Sequence, residues 1–215
     1  NGKVPFVEFK KVIYGMLNDI QATIAQANPS YVDSNHVIIN ADSNNTVGLI
    51  KNTSIDHIFT SPPYLNNFDY ADRTRLELYF FGKAKTWKDI TATIRSKLMT
   101  SATTQISRND PRYLLSNELQ SCCPEVFSYL QKAVQELRQL RLQKGGKKSY
   151  DLLVSGYFND MYLSIKDAFR VLKNGRKAVY VLGDSAPYGV HIPTDIFIGK
   201  IGVGLGFSDY SVVEL

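Results

Sequence analysis

Two adjacent prolines close an apolar run in this chain, in the order Ile58-Phe59-Thr60-Ser61-Pro62-Pro63-Tyr64. Neither proline can donate a backbone hydrogen bond, and each holds φ at about −65°. The residue before a proline is pushed toward extended geometry. A strand entering this stretch must therefore stop in a rigid turn that ends in a polar residue and an aromatic. Such a turn can offer Ser61 Oγ and the proline-flanked carbonyls as acceptors, with the ring face of Tyr64 beside them. That combination suits the grip of a flat ring bearing an amine. A strand-ending Pro-Pro loop without chemistry is the plainer alternative for the motif taken alone.

The surrounding sequence shifts the balance toward the first. Val37-Ile38-Ile39-Asn40-Ala41-Asp42-Ser43 is a second short apolar run closing on a polar cluster, and Ser54-Ile55-Asp56-His57-Ile58-Phe59-Thr60 leads into the prolines. Strand, polar tip, short helical connection and strand is the rhythm of an α/β protein, whose ligands gather at the carboxyl ends of the strands. A later block runs Tyr157-Phe158-Asn159-Asp160-Met161, then Phe169-Arg170-Val171-Leu172-Lys173-Asn174-Gly175, then Val179-Tyr180-Val181-Leu182-Gly183-Asp184-Ser185.

With Thr60-Ser61-Pro62-Pro63-Tyr64, these blocks resemble the S-adenosylmethionine-dependent DNA methyltransferases that modify exocyclic base amines. Their catalytic motif is Asp/Asn/Ser-Pro-Pro-Tyr/Phe at a strand end. The likeness covers residues 35 to 70 and 150 to 215, with Asn174 where the family's turn usually has proline. It implies an α/β fold, a partial Rossmann-like class I methyltransferase sheet with a helical insertion. Residues 1–70 and 149–215 would form the catalytic part, and 71–148 a basic helical insertion facing DNA and contributing target recognition. Ser61, Pro62, Pro63 and Tyr64 would be catalytic. Asp42, Ser43 and Thr60 would lie toward the cofactor, Asp42 holding its adenine or, alternatively, capping a helix. Asn66, Asp184 and Ser185 would line the base pocket, the latter two equally readable as turn formers. Lys144, Lys147 and Lys148 would meet DNA.

The implied chemistry needs no metal and no covalent intermediate. The lone pair of an exocyclic amine is delocalised into the ring, and accepting its hydrogen bonds on Ser61 Oγ and the Pro62 carbonyl localises that pair toward an electrophilic methyl group. The base must leave the duplex to be reached, and Tyr64 offers it a stacking surface. Ser in the first motif position points to cytosine N4, with adenine N6 as the alternative, since both bases set an amine beside a ring nitrogen. A catalytically silent nucleic-acid-binding subunit, or a methyltransferase acting on RNA or protein glutamine, are the competing readings.

One part of the family pattern is missing. No strand leads into a Phe-x-Gly-x-Gly turn, the loop that lets backbone approach the cofactor's methionine moiety. Gly202-Val203-Gly204-Leu205-Gly206 follows a helical pattern and reads as a packing face with a glycine cap before Phe207. The chain starts without methionine and ends in an expected strand. The expectation is a piece of a longer protein, with the main cofactor loop and a complementing portion or subunit elsewhere.

Charge is unevenly placed. The net charge is +5, yet residues 71–148 hold 15 Lys/Arg against 7 Asp/Glu, an excess of +8, and the remainder 10 against 13, or −3. A basic insert on a slightly acidic domain is the footprint of phosphate binding, though a solvated helical face gives the same count. With 44% hydrophobic and 21% charged residues the chain reads as globular and soluble. No apolar run is long enough to span a membrane, and no signal pattern opens the sequence, so a cytoplasmic location is expected. Cys122 and Cys123 are adjacent, poor spacing for a disulfide and too few for zinc, and are read as free thiols. His191 reads as structural, with His36 and His57 too distant in sequence to form a site with it.

The spacing predicts a helix over 4–27, closed by Asn28-Pro29-Ser30, with strands over 37–41 and 55–60 and a helix between them. Further helices are expected over 72–81, 86–99, 124–142, 151–172 (capped by Asn174-Gly175) and 193–204 (capped by Thr194). Residues 99–112 read as a loop, 145–148 as a flexible basic link, and 177–182 and 210–215 as strands.

Overall fold

The computed structural model describes residues 4–26, 37–146 and 148–214. The chain divides into two compact units, Asn1–Asn40 and Ala41–Leu215. In the first, helix α1 spans Pro5–Gln26 and buries none of its side chains, although Val12, Ile13, Met16, Leu17, Ile20 and Ile24 recur at helical spacing. The closing Asn28-Pro29-Ser30 lies outside the described residues.

The second unit centres on two parallel strands, β1 (Ile55–Thr60) and β2 (Leu172–Tyr180). Parallel neighbours need a long crossover. Here it carries α2 (Tyr70–Arg73), α3 (Arg75–Phe80), α4 (Trp87–Thr93), α5 (Asn117–Cys122), α6 (Pro124–Gln143) and α7 (Tyr150–Val171). Helix α8 (Thr194–Leu205) follows β2. The fold is thus mixed, with a small parallel sheet. Parallel sheets normally bury both faces, yet Phe59 on β1 is 77% exposed and Val179 on β2 46%.

The core lies among α6, α7 and α8. From α6 come Val126, Leu130, Ala133 and Leu137, at spacings of three and four, so one stripe of the helix faces inward. From α7 come Leu153, Tyr157, Phe158, Met161 and Ile165, and from α8 Phe197, Ile198 and Ile201. Each buried Val, Leu, Ile, Phe or Met side chain among these stabilises the fold by about 1.5–3 kcal/mol. The basic middle segment is therefore half structural, since α6 is one wall of the core. Helix α4 opens on a reciprocal capping box between Thr86 and Asp89 and buries Ile90.

Several expected elements differ. Residues 37–40 form no strand, and Val37 and Ile38 are 77% and 98% exposed. An extended segment becomes a strand only through a ladder partner, and none pairs with it among the described residues. Residues 210–214 are coil for the same reason. No helix forms between 43 and 54. That stretch is a run of turns pinned to α7, where Arg170 donates to the Ile50 carbonyl, Asn52 Oδ1 and Thr46 Oγ1, each at 2.8 Å. Asp167 accepts from Thr46 N and Oγ1 at 3.2 and 2.5 Å. The helix expected over 72–81 is broken in two at Thr74, and that over 86–99 ends at Thr93 with a short 3₁₀ turn after it.

Asn174-Gly175 does not cap α7. The helix ends at Val171, and the pair sits within β2, where the register jumps from Ile55↔Leu172 to His57↔Lys177. Gly175, at φ 72°, turns the extra residues of that bulge. Thr194 does not cap α8 with its side chain either; its own N–H donates to Asp184 Oδ1 at 3.0 Å, so the capping carboxylate comes from ten residues upstream.

The glycines of α8 are filled by protein. Gly206 closes the helix in the left-handed conformation at φ 120°, as the expected cap requires. A Cβ on Gly204 would lie 2.3 Å from the Cys122 carbonyl oxygen. Gly204→Ala should therefore destabilise the protein by about 1–3 kcal/mol through forced overpacking. A thermal melt that shows no loss would remove this packing role.

Candidate functional site

Strand β1 ends on Thr60, which pairs with Tyr180 and accepts a hydrogen bond from Val181 N at 2.9 Å. The ladder cannot continue beyond Ser61, because Pro62 and Pro63 offer no N–H. Ser61 is consequently exposed at the carboxyl end of the sheet, over a buried Pro62. Its Oγ stands 3.2 Å from the Tyr64 hydroxyl and 3.5 Å from the Val181 carbonyl. A serine hydroxyl has one proton and two lone pairs. With the proton directed to Val181 and one lone pair taking the Tyr64 hydroxyl, a second lone pair remains for an incoming donor. The Tyr64 ring lies against Gly183, where a Cβ would be 3.7 Å from it. The turn after β2 thus packs on the turn after β1.

That second turn is fastened to the first. Ser185 Oγ donates to the Leu65 carbonyl, and Ser185 bridges to Ile192. Asp184 accepts from Thr194 N at 3.0 Å and faces His191 Nε2 at 3.0 Å. Burial opposes the ionised form of Asp184, but the hydrogen bonds from His191, Asp195 and Thr194 outweigh it and hold its carboxyl below the usual range. Both its oxygens are taken, so Asp184 shapes the loop and caps α8. The His191 carbonyl also accepts from the Tyr129 hydroxyl at 3.0 Å.

Beneath the motif lies Tyr157 of α7, fully buried, its hydroxyl without a hydrogen-bond partner among the described residues. Burial pushes this phenol well up, and the nearby Tyr70 and Tyr64 phenols add to the effect. Three residues along the same helix, about one turn on, the Asp160 carboxyl is raised by burial, against the hydrogen bonds it accepts from Thr100, whose N–H lies at 2.7 Å.

The loop following the motif is held by side chains and backbone from residues 95–104, contacts that no sequence pattern announced. Asn67, at φ 59°, accepts from Thr103 N at 2.8 Å, and Ser101 Oγ donates to the Phe68 carbonyl at 3.0 Å. Asp69 accepts from Asp72 N at 3.1 Å, from Thr104 Oγ1 at 2.6 Å and from Arg95 Nε at 3.0 Å. Arg95 is 4% exposed and its guanidinium sits 4.5 Å from the Trp87 ring centroid. Its Nη2 is 3.0 Å from the same carboxylate oxygen but poorly aligned for a hydrogen bond, and adds charge only. Asp-x₂₅-Arg gives no periodic signal, so only the folded chain reveals the pair.

The remaining expected site residues are more scattered. Asp42 is exposed, with Oδ1 accepting from Asn44 N at 2.9 Å in a local turn rather than at a helix start. Ser43 and Asn66 are also exposed. Lys144 and Lys148 are exposed at the α6–α7 junction, while Lys147 lies outside the described residues. Cys122 and Cys123 are free thiols, Cys122 pushed up by burial. No helix among the described residues is long and apolar enough to cross a membrane.

Comparison with curated proteins gives a consistent result. The chain is 29% identical over 169 residues to the type II methyltransferase M.AvaI of Nostoc sp. and, at the same level, to that of Anabaena variabilis; the match covers 74% of this chain and 32% of theirs. It is 26% identical over 191 residues to the type II methyltransferase M.BsoBI of Geobacillus stearothermophilus, covering 85% of this chain and 37% of that protein. The chain spans about a third of the length of the curated relatives it matches. No protein-family model matches. No solved structure is significantly similar.

Proposed function

From its kinship with the type II methyltransferases, we propose that this chain is the catalytic part of a site-specific DNA methyltransferase acting on an exocyclic base amine, cytosine N4 in the first instance. The observation that carries the reading is Ser61 Oγ at the exposed carboxyl end of β1, with a lone pair to spare and Tyr64 at 3.2 Å.

A base turned out of the duplex meets Ser61 with its amine and the Tyr64 ring with its face. Ser61 Oγ and the Pro62 carbonyl accept the amine's hydrogens, which concentrates its lone pair and orients it. The leaving proton passes to solvent after transfer, because Ser61 is too weak a base to hold it. Asn66 and Ser185, flanking the motif, bound the pocket, and the basic segment 71–148 carries the duplex.

S-adenosylmethionine supplies the methyl group in this chemistry. The described residues do not fit the whole of it: Asp42, Ser43 and Thr60 can serve its edge, but the glycines of α8 are occupied by Cys122 and Phe169 and offer no cradle. The exposed Phe59 and Val179 support a sheet completed by further elements. The missing cradle favours a second reading, a DNA-binding subunit without catalysis.

Methyl incorporation into DNA by the protein that carries this chain, followed by mass analysis of nucleosides, separates these. N4-methylcytosine is expected. N6-methyladenine keeps the enzyme class and changes the base, and DNA that is bound but unmethylated in the presence of cofactor assigns the silent subunit.

A further inference from the structure

The loop after β2 touches the motif with one end and something else with the other. Its 3₁₀ turn, Pro187–Gly189, holds Tyr188 at φ 52° and ψ 20°. A left-handed conformation costs a residue with a Cβ about 1–2 kcal/mol, and such outliers persist where the surroundings enforce them. The consequence is the position of the ring. Tyr188 meets Tyr150 edge to face, with centroids 4.7 Å apart at 87°. Lys144 Nζ lies 5.5 Å from the Tyr188 centroid, and Lys148 Nζ 5.8 Å from that of Tyr150.

Both lysines are exposed, and among the described residues neither lies within ion-pair distance of a carboxylate. Other basic groups of the segment are spent internally: Arg108 and Arg138 share Asp151, and Arg112 pairs with Asp110. Two uncompensated ammonium groups thus flank two partly buried phenol rings that pack on the core from its surface. The same loop rests its Gly183 against Tyr64 and its Ser185 on Leu65. Along this loop Tyr188, at the lysines, follows Gly183, at the motif, by five residues.

We propose that Tyr188, Tyr150, Lys144 and Lys148 form a second nucleic-acid contact, which takes the unstacked nucleotide beside the target base. The lysines hold its phosphates and Tyr188 packs on its sugar and base. Aromatic faces beside basic groups bind single strands with little sequence preference, because every base has a π-face. This inference rests on the proposed reading of the chain as a DNA-modifying protein.

Fluorescence anisotropy of a short labelled duplex, with the protein that carries this chain at several salt concentrations, tests it. Lys144→Gln with Lys148→Gln should lower the slope of log affinity against log salt by about two, at roughly 0.9 per phosphate. Tyr188→Asn should weaken binding about tenfold at fixed salt. Asparagine tolerates the left-handed backbone, so this variant removes the ring without adding strain. Tyr188→Phe should bind as the parent does. A parent that binds DNA, with variants that match it in affinity and slope, overturns the patch alone. A parent that binds no DNA overturns the proposed function with it.

Discussion

Ser61→Ala should reduce methyl transfer by about 100-fold while changing DNA affinity by no more than a fewfold. The size follows from the removal of one preorganised hydrogen-bonding group at a reacting centre. The asymmetry follows from when the group acts. An amine gains most from an acceptor as its lone pair leaves the ring, so the interaction belongs to the transition state, and turnover falls without a matching loss of binding. The structure adds a condition that Tyr64 also serves Ser61, its hydroxyl standing 3.2 Å from Oγ. Tyr64→Phe should therefore cost several-fold in turnover, on the scale of one hydrogen bond worth about 0.5–1.5 kcal/mol. Tyr64→Ala should also weaken the flipped-base complex, by about 1–3 kcal/mol of stacking. Single-turnover rates beside anisotropy titrations check all three. Equal losses in rate and binding for Ser61→Ala would make it a docking residue, and an active alanine variant would take the motif out of catalysis.

Breaking the Asp69–Arg95 pair should cost far more stability than a typical surface substitution. Arg95 is 4% exposed and Asp69 13%, and removing one partner of a buried pair leaves the other charge without compensation, at about 3–5 kcal/mol. Arg95→Met should show this as a lower midpoint of urea unfolding with an unchanged slope. Adding Asp69→Ala to it should recover part of the loss, because the stranded carboxylate goes with it. The pH dependence has a definite sign. Burial works against the charged form of Asp69, but Thr104, the Asp72 N–H and Arg95 outweigh it and hold the carboxyl below its ordinary value. The stabilisation is then complete above the unfolded-state value of about 3.9 and disappears as pH falls through the lower folded value. Unfolding midpoints for Asp69→Asn should lose that part of the acid dependence. Arg95→Met with a native midpoint would show that the pair adds nothing. The functional consequence is local, since Asp69 closes the loop that begins at Tyr64.

Local chemistry made much of this legible beforehand. Two prolines after Thr60 dictate the end of β1, because a residue without an N–H cannot extend a ladder. The stripes of α6 and α7 follow from apolar spacing, and Gly206 reads as a cap because a left-handed backbone favours it. What failed were elements whose existence depends on a neighbour. Residues 37–40 have the composition of a strand and no ladder partner among the described residues, and residues 210–214 likewise. Asn174-Gly175 has the look of a helix cap but serves a bulge, a choice made by the pairing of Ile55 and His57 across the sheet.

The site divides along the same line. The sequence by itself determined that Ser61 and Tyr64 leave a strand end on a rigid turn, since proline geometry is a property of the residue and not of its surroundings. It also determined that the positive charge gathers between residues 71 and 148. Only the tertiary structure decided which groups reach that turn. Gly183 beneath the Tyr64 ring, Ser185 on Leu65, Arg95 on Asp69 and Tyr188 beside Lys144 are contacts across 26 to 120 residues or between separate elements. Such contacts have no period and no spacing to read, because they are fixed by how the helices close over the sheet and by which polar groups must find partners when that closure removes water.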